Sequence, residues 1–166
     1  MPAPGDSTLE RLSQRVARQL RNDRERLVTA ESCTGGFLAK CLTDMPGSSD
    51  YFDRGWVSYS NAAKQELLGV GESTLKQHGA VSRAVAIAMA RGALRASRAT
   101  VAIAVTGIAG PTGATSGKPV GTIFIAWGRR VRRGLRVKAG QYRFGGDRDA
   151  VRRRTVAKAL QGLLQS

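Results

Sequence analysis

The chain has 166 residues, 42% of them apolar and 5% aromatic, with 20 glycines and a formal net charge of +15. That length suits one domain, residues 1–166, burying roughly 70% of its unfolded surface without disulfide or metal staples. No apolar stretch approaches the ~20 residues of a membrane-spanning helix, and Met1-Pro2-Ala3-Pro4-Gly5 has neither the basic nor the apolar region of a signal peptide. The two cysteines, Cys33 and Cys41, are expected on one helix, about 10 Å or more apart and too far for a mutual disulfide. A reducing, cytoplasmic setting is expected. With one histidine and no Cys/His cluster, no metal site is expected.

Ser7-x-x-Glu10 reads as a capping box, and Leu9, Leu12, Val16 and Leu20 give an amphipathic first helix ending near Leu20. Arg26 to Ala30 forms a first strand, followed by a helix from Gly35 to Thr43 and a loop at Pro46-Gly47-Ser48-Ser49. A second strand is predicted around Arg54 to Tyr59. Asn61 then caps a short helix, Ala62 to Leu68, that ends at Gly69. Glu72 to His78 reads as another short helix, and Ser82 caps a longer one through Ala96 with Val85, Met89, Ala93 and Leu94 inward. Thr100 to Val105 is apolar and β-branched, as a buried central strand should be. Val120 to Trp127 and Arg130 to Ala139 pair as a hairpin around Gly128-Arg129, and Asp147 caps a last helix carrying Val151, Val156, Leu160, Leu163 and Leu164. Helices alternating with strands, closed by a hairpin, predict an α/β fold: a three-layer α/β/α sandwich with a mixed, mostly parallel sheet.

Three stretches carry chemistry. Thr29-Ala30-Glu31-Ser32-Cys33-Thr34-Gly35-Gly36 joins the first strand to its helix. Such a turn exposes backbone N–H groups and the positive end of the helix dipole, and its glycines let a ligand oxygen come close. A hydroxyl or thiol beside those donors is the arrangement of acyl-transfer sites. The same residues also read as a simple N-cap. Lys64 stands in the first turn of the helix after Tyr59, where the dipole disfavours a cation. It is either solvated or a cleft lysine of lowered pKa, able to serve as general base for Ser32. The loop from Thr106 to Pro119 is long and glycine-rich for a connector. It is a flexible surface loop or a backbone cradle for a phosphate or a polar ring substituent. Its Gly107, Gly110 and Gly113 match neither a P-loop nor a dinucleotide fingerprint.

Charge is concentrated near the C-terminus, with eleven bases against Asp147 and Asp149 between residues 129 and 154. Such a concentration attracts polyanions. The bases alternate with Val131, Leu135 and Val137 as on a strand, and only Tyr142 and Phe144 are interleaved for base stacking. A solvated face is therefore favoured over nucleic-acid binding.

Several segments in fixed order resemble the C-terminal domain family of the competence-damage-inducible protein CinA. They are T-A-E-S-C-T-G-G from Thr29, G-S-S-x-Y-F-x-R-G from Gly47, Y-S-N-x-A-K from Tyr59, L-G-V at Leu68, H-G-A-V-S at His78, T-G-I-A-G-P from Thr106, K-P-V-G-T from Lys118 and F-x-G-D-R from Phe144. Some members of that family are stand-alone nicotinamide-nucleotide amidohydrolases. The resemblance implies hydrolysis of the carboxamide of nicotinamide mononucleotide to nicotinate mononucleotide and ammonia, with no metal or organic cofactor. On that reading Ser32 is the nucleophile, N–H groups around Thr34, Gly35 and Gly36 hold the oxyanion, and Lys64 is the base. Tyr59 relays a proton or orients the amide, Thr106, Gly107 and Gly110 contact substrate, and Arg143 or Arg148 clamps the phosphate. Glu31 either positions Lys64 or caps the helix. Cys33 competes as nucleophile, although buried cysteine is ordinarily inert packing. The rivals are an amidase for another small amide and a non-catalytic module binding nucleic acid, or a competence or repair partner, through the basic C-terminal face. Family tendency and alanine-rich helices suggest a homo-oligomer.

Overall fold

The computed structural model describes residues 1–165. The elements in chain order are α1 (Asp6–Asn22), β1 (Leu27–Glu31), α2 (Phe37–Thr43), a 3-10 turn at Ser48–Asp50, β2 (Phe52–Val57), α3 (Asn61–Leu68), α4 (Glu72–His78), α5 (Arg83–Arg95), β3 (Val101–Gly107), β4 (Thr122–Val131), β5 (Gly134–Arg143) and α6 (Arg148–Leu164). Among the described residues, no helix is long and apolar enough to cross a membrane.

The five strands form one sheet in the order β2-β1-β3-β4-β5. β1 pairs parallel with both β2 and β3, and the β4–β5 hairpin adds on antiparallel. The period-2 alternation of β3 sorts the core into two halves. Val101, Ile103 and Val105 join the cluster under α1, α2 and α6, while Ala102 and Ala104 face α5. Small residues on that side bring α5 close, and its own Ala86, Ala90 and Ala93 are fully buried there. Alanine richness in this helix thus reflects packing on the sheet rather than an exposed face. Register then builds the site. Glu31 stands opposite Val57 on one side and Val105 on the other. Ser32, Ser58 and Thr106, each one residue further along, therefore meet at the C-terminal edge of the sheet, where open α/β sheets place their ligands.

Helix α3, which carries Lys64, packs on α5 at Gly92. A Cβ there would lie 2.8 Å from the Leu68 carbonyl carbon, closer than real Cβ atoms approach. Gly92→Ala gains about 1 kcal/mol of helix propensity, but the overpacking, about 1–3 kcal/mol or more, must move backbone. We expect a net loss of about 2 kcal/mol, read as a melting temperature lower by about 4–8 °C. An unchanged or raised melting temperature would show that α3 yields freely.

Several boundaries differ from the sequence reading. Gly5 rather than Ser7 precedes α1, with no side-chain cap, so the capping box does not form. Ser60, not Asn61, caps α3, its hydroxyl accepting from the Ala63 N–H at 3.0 Å. β2 begins at Phe52 and stops at Val57, and β4 starts at Thr122. The hairpin turns at Arg132-Arg133, not at Gly128-Arg129. Gly128 lies under Leu94 of α5, where a Cβ would touch that side chain at 3.0 Å, so it serves helix–sheet packing. Cys33 precedes α2 rather than lying in it, and both cysteines are free and buried. Asp147 and Ser82 cap their helices as expected, accepting from the N–H groups of Ala150 and Val85.

Candidate active site

The turn after β1 is held by buried polar bonds. Glu31, 1% exposed, turns its carboxylate under the start of α2. It accepts from the N–H groups of Gly36 (3.1 Å), Leu38 (3.0 Å) and Ala39 (2.8 Å). A buried carboxylate needs such donors, and a helix start supplies them. Gly36 at φ +95° makes the reversal that brings these N–H groups over it. Glu31 is therefore the cap of α2. The Gly35 N–H donates to the Ser32 carbonyl at 3.0 Å and the Phe37 N–H to the Thr34 carbonyl at 3.0 Å. Among the described residues, the turn's N–H groups without a protein acceptor are those of Cys33 and Thr34.

Ser32 lies at the mouth of this turn, 8% exposed, anchored by its N–H to the Val105 carbonyl at 3.0 Å. Lys64 reaches it from α3. Although 1% exposed, Lys64 faces no carboxylate among the described residues. Its Nζ donates to the carbonyls of Ser58 (2.9 Å) and Tyr59 (3.0 Å) and lies 3.2 Å from Ser32 Oγ. Burial pushes its pKa below the ordinary lysine value of 10.5. A neutral amine has two N–H bonds and one lone pair. In that form the two carbonyls would take the hydrogens and leave the lone pair toward the serine hydroxyl. The neighbouring Cys33 thiol is pushed the other way, up to about 12, chiefly by burial, and stays protonated at neutral pH.

The pair opens into a cleft of about 260 Å³ whose walls come from three loops. Tyr59, Ala80 and Val81 form one side, and Thr106 to Gly110 with Thr112 and Gly113 the other. Thr106 donates its hydroxyl to the Ala80 carbonyl at 2.8 Å, tying the walls together. Gly107 must be glycine, because a Cβ would sit 2.8 Å from the Thr122 carbonyl oxygen. Lys118 pins the long loop to the His78 carbonyl at 3.0 Å, so the loop is a braced wall. At the mouth Arg148 donates to the Gly110 carbonyl (2.8 Å) and to the Tyr59 hydroxyl (3.0 Å). Tyr59 is 56% exposed there, and the hydrogen bond of its hydroxyl is to Arg148 rather than to Ser32 or Lys64.

Of the residues singled out from sequence, the structure brings Ser32, Tyr59, Lys64, Thr106, Gly107, Gly110 and Arg148 to one cleft, with Cys33 among them. Thr34 is fully buried behind Ser32, and Gly35 and Gly36 line a separate groove with Arg152 and Arg153. Arg143 is exposed at the end of β5 and does not line the cleft. Sequence reading assigned no role in the site to Ser58, Ala80, Val81 or Arg152. The segment H-G-A-V-S carried two of them as part of a family pattern, but no periodicity or charge marks a backbone carbonyl that holds a lysine. Among the described residues, no three His, Cys, Asp or Glu side chains are grouped to hold a metal ion. In the basic hairpin, Arg129 pairs with Glu25 and Arg130 donates to the carbonyls of Leu94, Ser97 and Ala99. Arg132, Arg133, Arg136 and Lys138 are exposed. The hairpin tip lies at the sheet end opposite the cleft.

The sequence pattern described as the CinA C-terminal domain matches residues 9–166. The nicotinamide-nucleotide amidohydrolase PncC of Escherichia coli strain K12 is 50% identical over 160 residues, covering 96% of this chain and 95% of its own. The protein of the same name from Pseudomonas putida is 51% identical over 154 residues, 93% of this chain and 94% of its own. Among solved structures, the competence/damage inducible protein CihA from Agrobacterium tumefaciens is similar with a TM-score of 0.90 at 45% identity, covering 99% of this chain and 98% of its own.

Proposed function

The chain is a hydrolase of the CinA C-terminal domain family, and from that membership we propose that it hydrolyses the carboxamide of nicotinamide mononucleotide, giving nicotinate mononucleotide and ammonia. The observation that carries the mechanism is the buried Lys64 amine 3.2 Å from Ser32 Oγ inside the cleft. Neutral Lys64 takes the hydroxyl proton as Oγ attacks the carboxamide carbon. The carbonyl oxygen gathers negative charge and is held by the N–H of Cys33, the residue of this turn that lines the cleft beside Ser32. Lys64 then gives its proton to the departing nitrogen, which leaves as ammonia. A water, deprotonated by the same amine, attacks the acyl-enzyme, and Ser32 recovers its proton. Tyr59, bonded to Arg148 at the mouth, suits orientation of the amide ring better than a proton relay. Arg148, the guanidinium lining the cleft, is the phosphate contact in this reading, and Arg143 is left out of it.

Ammonia release from nicotinamide mononucleotide by the purified protein tests the reaction, beside the riboside and free nicotinamide. We expect turnover of the mononucleotide at a kcat/KM at least tenfold above the other two, since a charge-assisted contact to phosphate contributes about 1.5–3 kcal/mol. Absence of release from folded protein would move the reading to another small amide. Nucleic-acid binding rests on the exposed bases of the hairpin alone and would leave the Ser32–Lys64 pair without a use. Salt-dependent retention of duplex DNA reads it separately. Self-association also stands as a proposal, carried from the family tendency and read by light scattering.

A further inference from the structure

One helix face reaches the segments that follow β1, β2 and β3 around the cleft. Arg148 and Arg152 stand one turn apart on α6. Arg148 bonds the loop of Gly110 and, through Tyr59, the segment between β2 and α3. Arg152 reaches the third element, its Nη2 donating to the Thr34 carbonyl at 2.9 Å. The guanidinium also lies 5.8 Å from the ring centre of Phe37, the first residue of α2. Among the described residues its Nε is buried without a partner, as is Thr34 Oγ1 beside the same carbonyl. A buried donor left unsatisfied costs about as much as a charged hydrogen bond returns. Arg152 thus adds little net stability while fixing one peptide plane of the nucleophile turn.

We propose that Arg152 is a positioning residue for the reaction: by gripping the Thr34 carbonyl it sets the turn that presents Ser32 and the Cys33 N–H to the substrate. The inference rests on the reading of Ser32 as nucleophile. It does not need the identity of the amide. Loosening the Thr34 peptide misdirects the nucleophile and the Cys33 N–H, which acts in the transition state more than in substrate binding. A substrate contact would act on KM, and a purely structural residue on folding.

The test uses R152M and R152K in the full chain with two readouts: steady-state hydrolysis of nicotinamide mononucleotide, and the rate of Ser32 labelling by a fluorophosphonate followed by intact mass. For R152M we expect a melting temperature within about 3 °C of wild type, kcat lowered at least tenfold, KM within twofold, and an unshifted pH limb. Labelling should slow in parallel. R152K keeps the charge and one donor, and should recover part of both rates. Wild-type kcat and labelling in folded R152M overturn the proposal, as does a tenfold rise in KM at unchanged kcat. If R152M does not fold, R152K decides by the same kcat-against-KM criterion. Wild-type protein that labels at Ser32 but releases no ammonia refutes the substrate alone, and labelling then tests Arg152. Wild-type protein that does not label removes the nucleophile and the proposal together.

Discussion

Ser32→Ala is expected to lower ammonia release from nicotinamide mononucleotide by a factor of about 10³ or more, the scale at which nucleophile deletions fall in serine hydrolases. The expectation follows from position. Ser32 Oγ faces the cleft and the Lys64 amine, on a turn whose other hydroxyl, Thr34 Oγ1, is fully buried. Stability should change by less than about 1 kcal/mol, because a single hydrogen bond at the surface of the cleft is lost. Cys33→Ala is the necessary companion. Burial holds that thiol protonated, with its pKa raised to about 12, so the variant should keep kcat within about threefold of wild type, because the thiolate and not the thiol is the nucleophile. The opposite pattern, an active Ser32→Ala and an inactive Cys33→Ala, would transfer the covalent step to sulfur.

Lys64→Met should remove general-base catalysis, worth about 10²–10⁴ in rate, while keeping a side chain of similar length in a buried slot. The pH dependence gives this test its direction. Burial lowers the Lys64 pKa below 10.5, and the neutral amine is the working form. Activity of the wild type should therefore rise with pH through the folded-state pKa and level off above it. Activity is lost as pH falls, because the amine becomes protonated. The same shift enters stability. Between the folded-state pKa and 10.5 the unfolded chain binds the extra proton, so wild-type stability rises with pH across that window. Urea unfolding at two pH values inside it should show the slope in wild type and lose Lys64's contribution in Lys64→Met. A variant with wild-type kcat, or an activity limb that Lys64→Met leaves in place, would make Lys64 a structural cation.

The fold was legible where one physical cause acts alone. The stripe of Leu9, Leu12, Val16 and Leu20 and the apolar run of Thr100 to Val105 have no alternative to burial, and α1 and β3 lie where they point. Legibility failed where two causes compete. Gly128 has the sequence look of a turn, yet its missing side chain is used by Leu94 of α5, and the turn falls at two arginines. The capping box at Ser7 lost to a chain entry at Gly5 that starts the helix two residues earlier. Glu31 was ambiguous between lysine partner and helix cap, and the bonds to Gly36, Leu38 and Ala39 make it the cap.

The amino-acid sequence by itself determined the order of elements, the glycine turn that carries Ser32, and the pattern of segments that marks the family. These follow from local periodicity and from residue types at fixed spacing. Only the tertiary structure decided that Lys64, 32 residues along the chain, meets Ser32 without a counter-charge. It alone separated Arg148, inside the cleft, from Arg143, outside it, and brought Arg152 to the Thr34 carbonyl across 118 residues. Parallel pairing of β1 with β2 and β3 is the reason. It aligns the C-terminal ends of strands far apart in sequence, and which side chains then converge depends on register, a property of the assembled sheet that no single segment encodes.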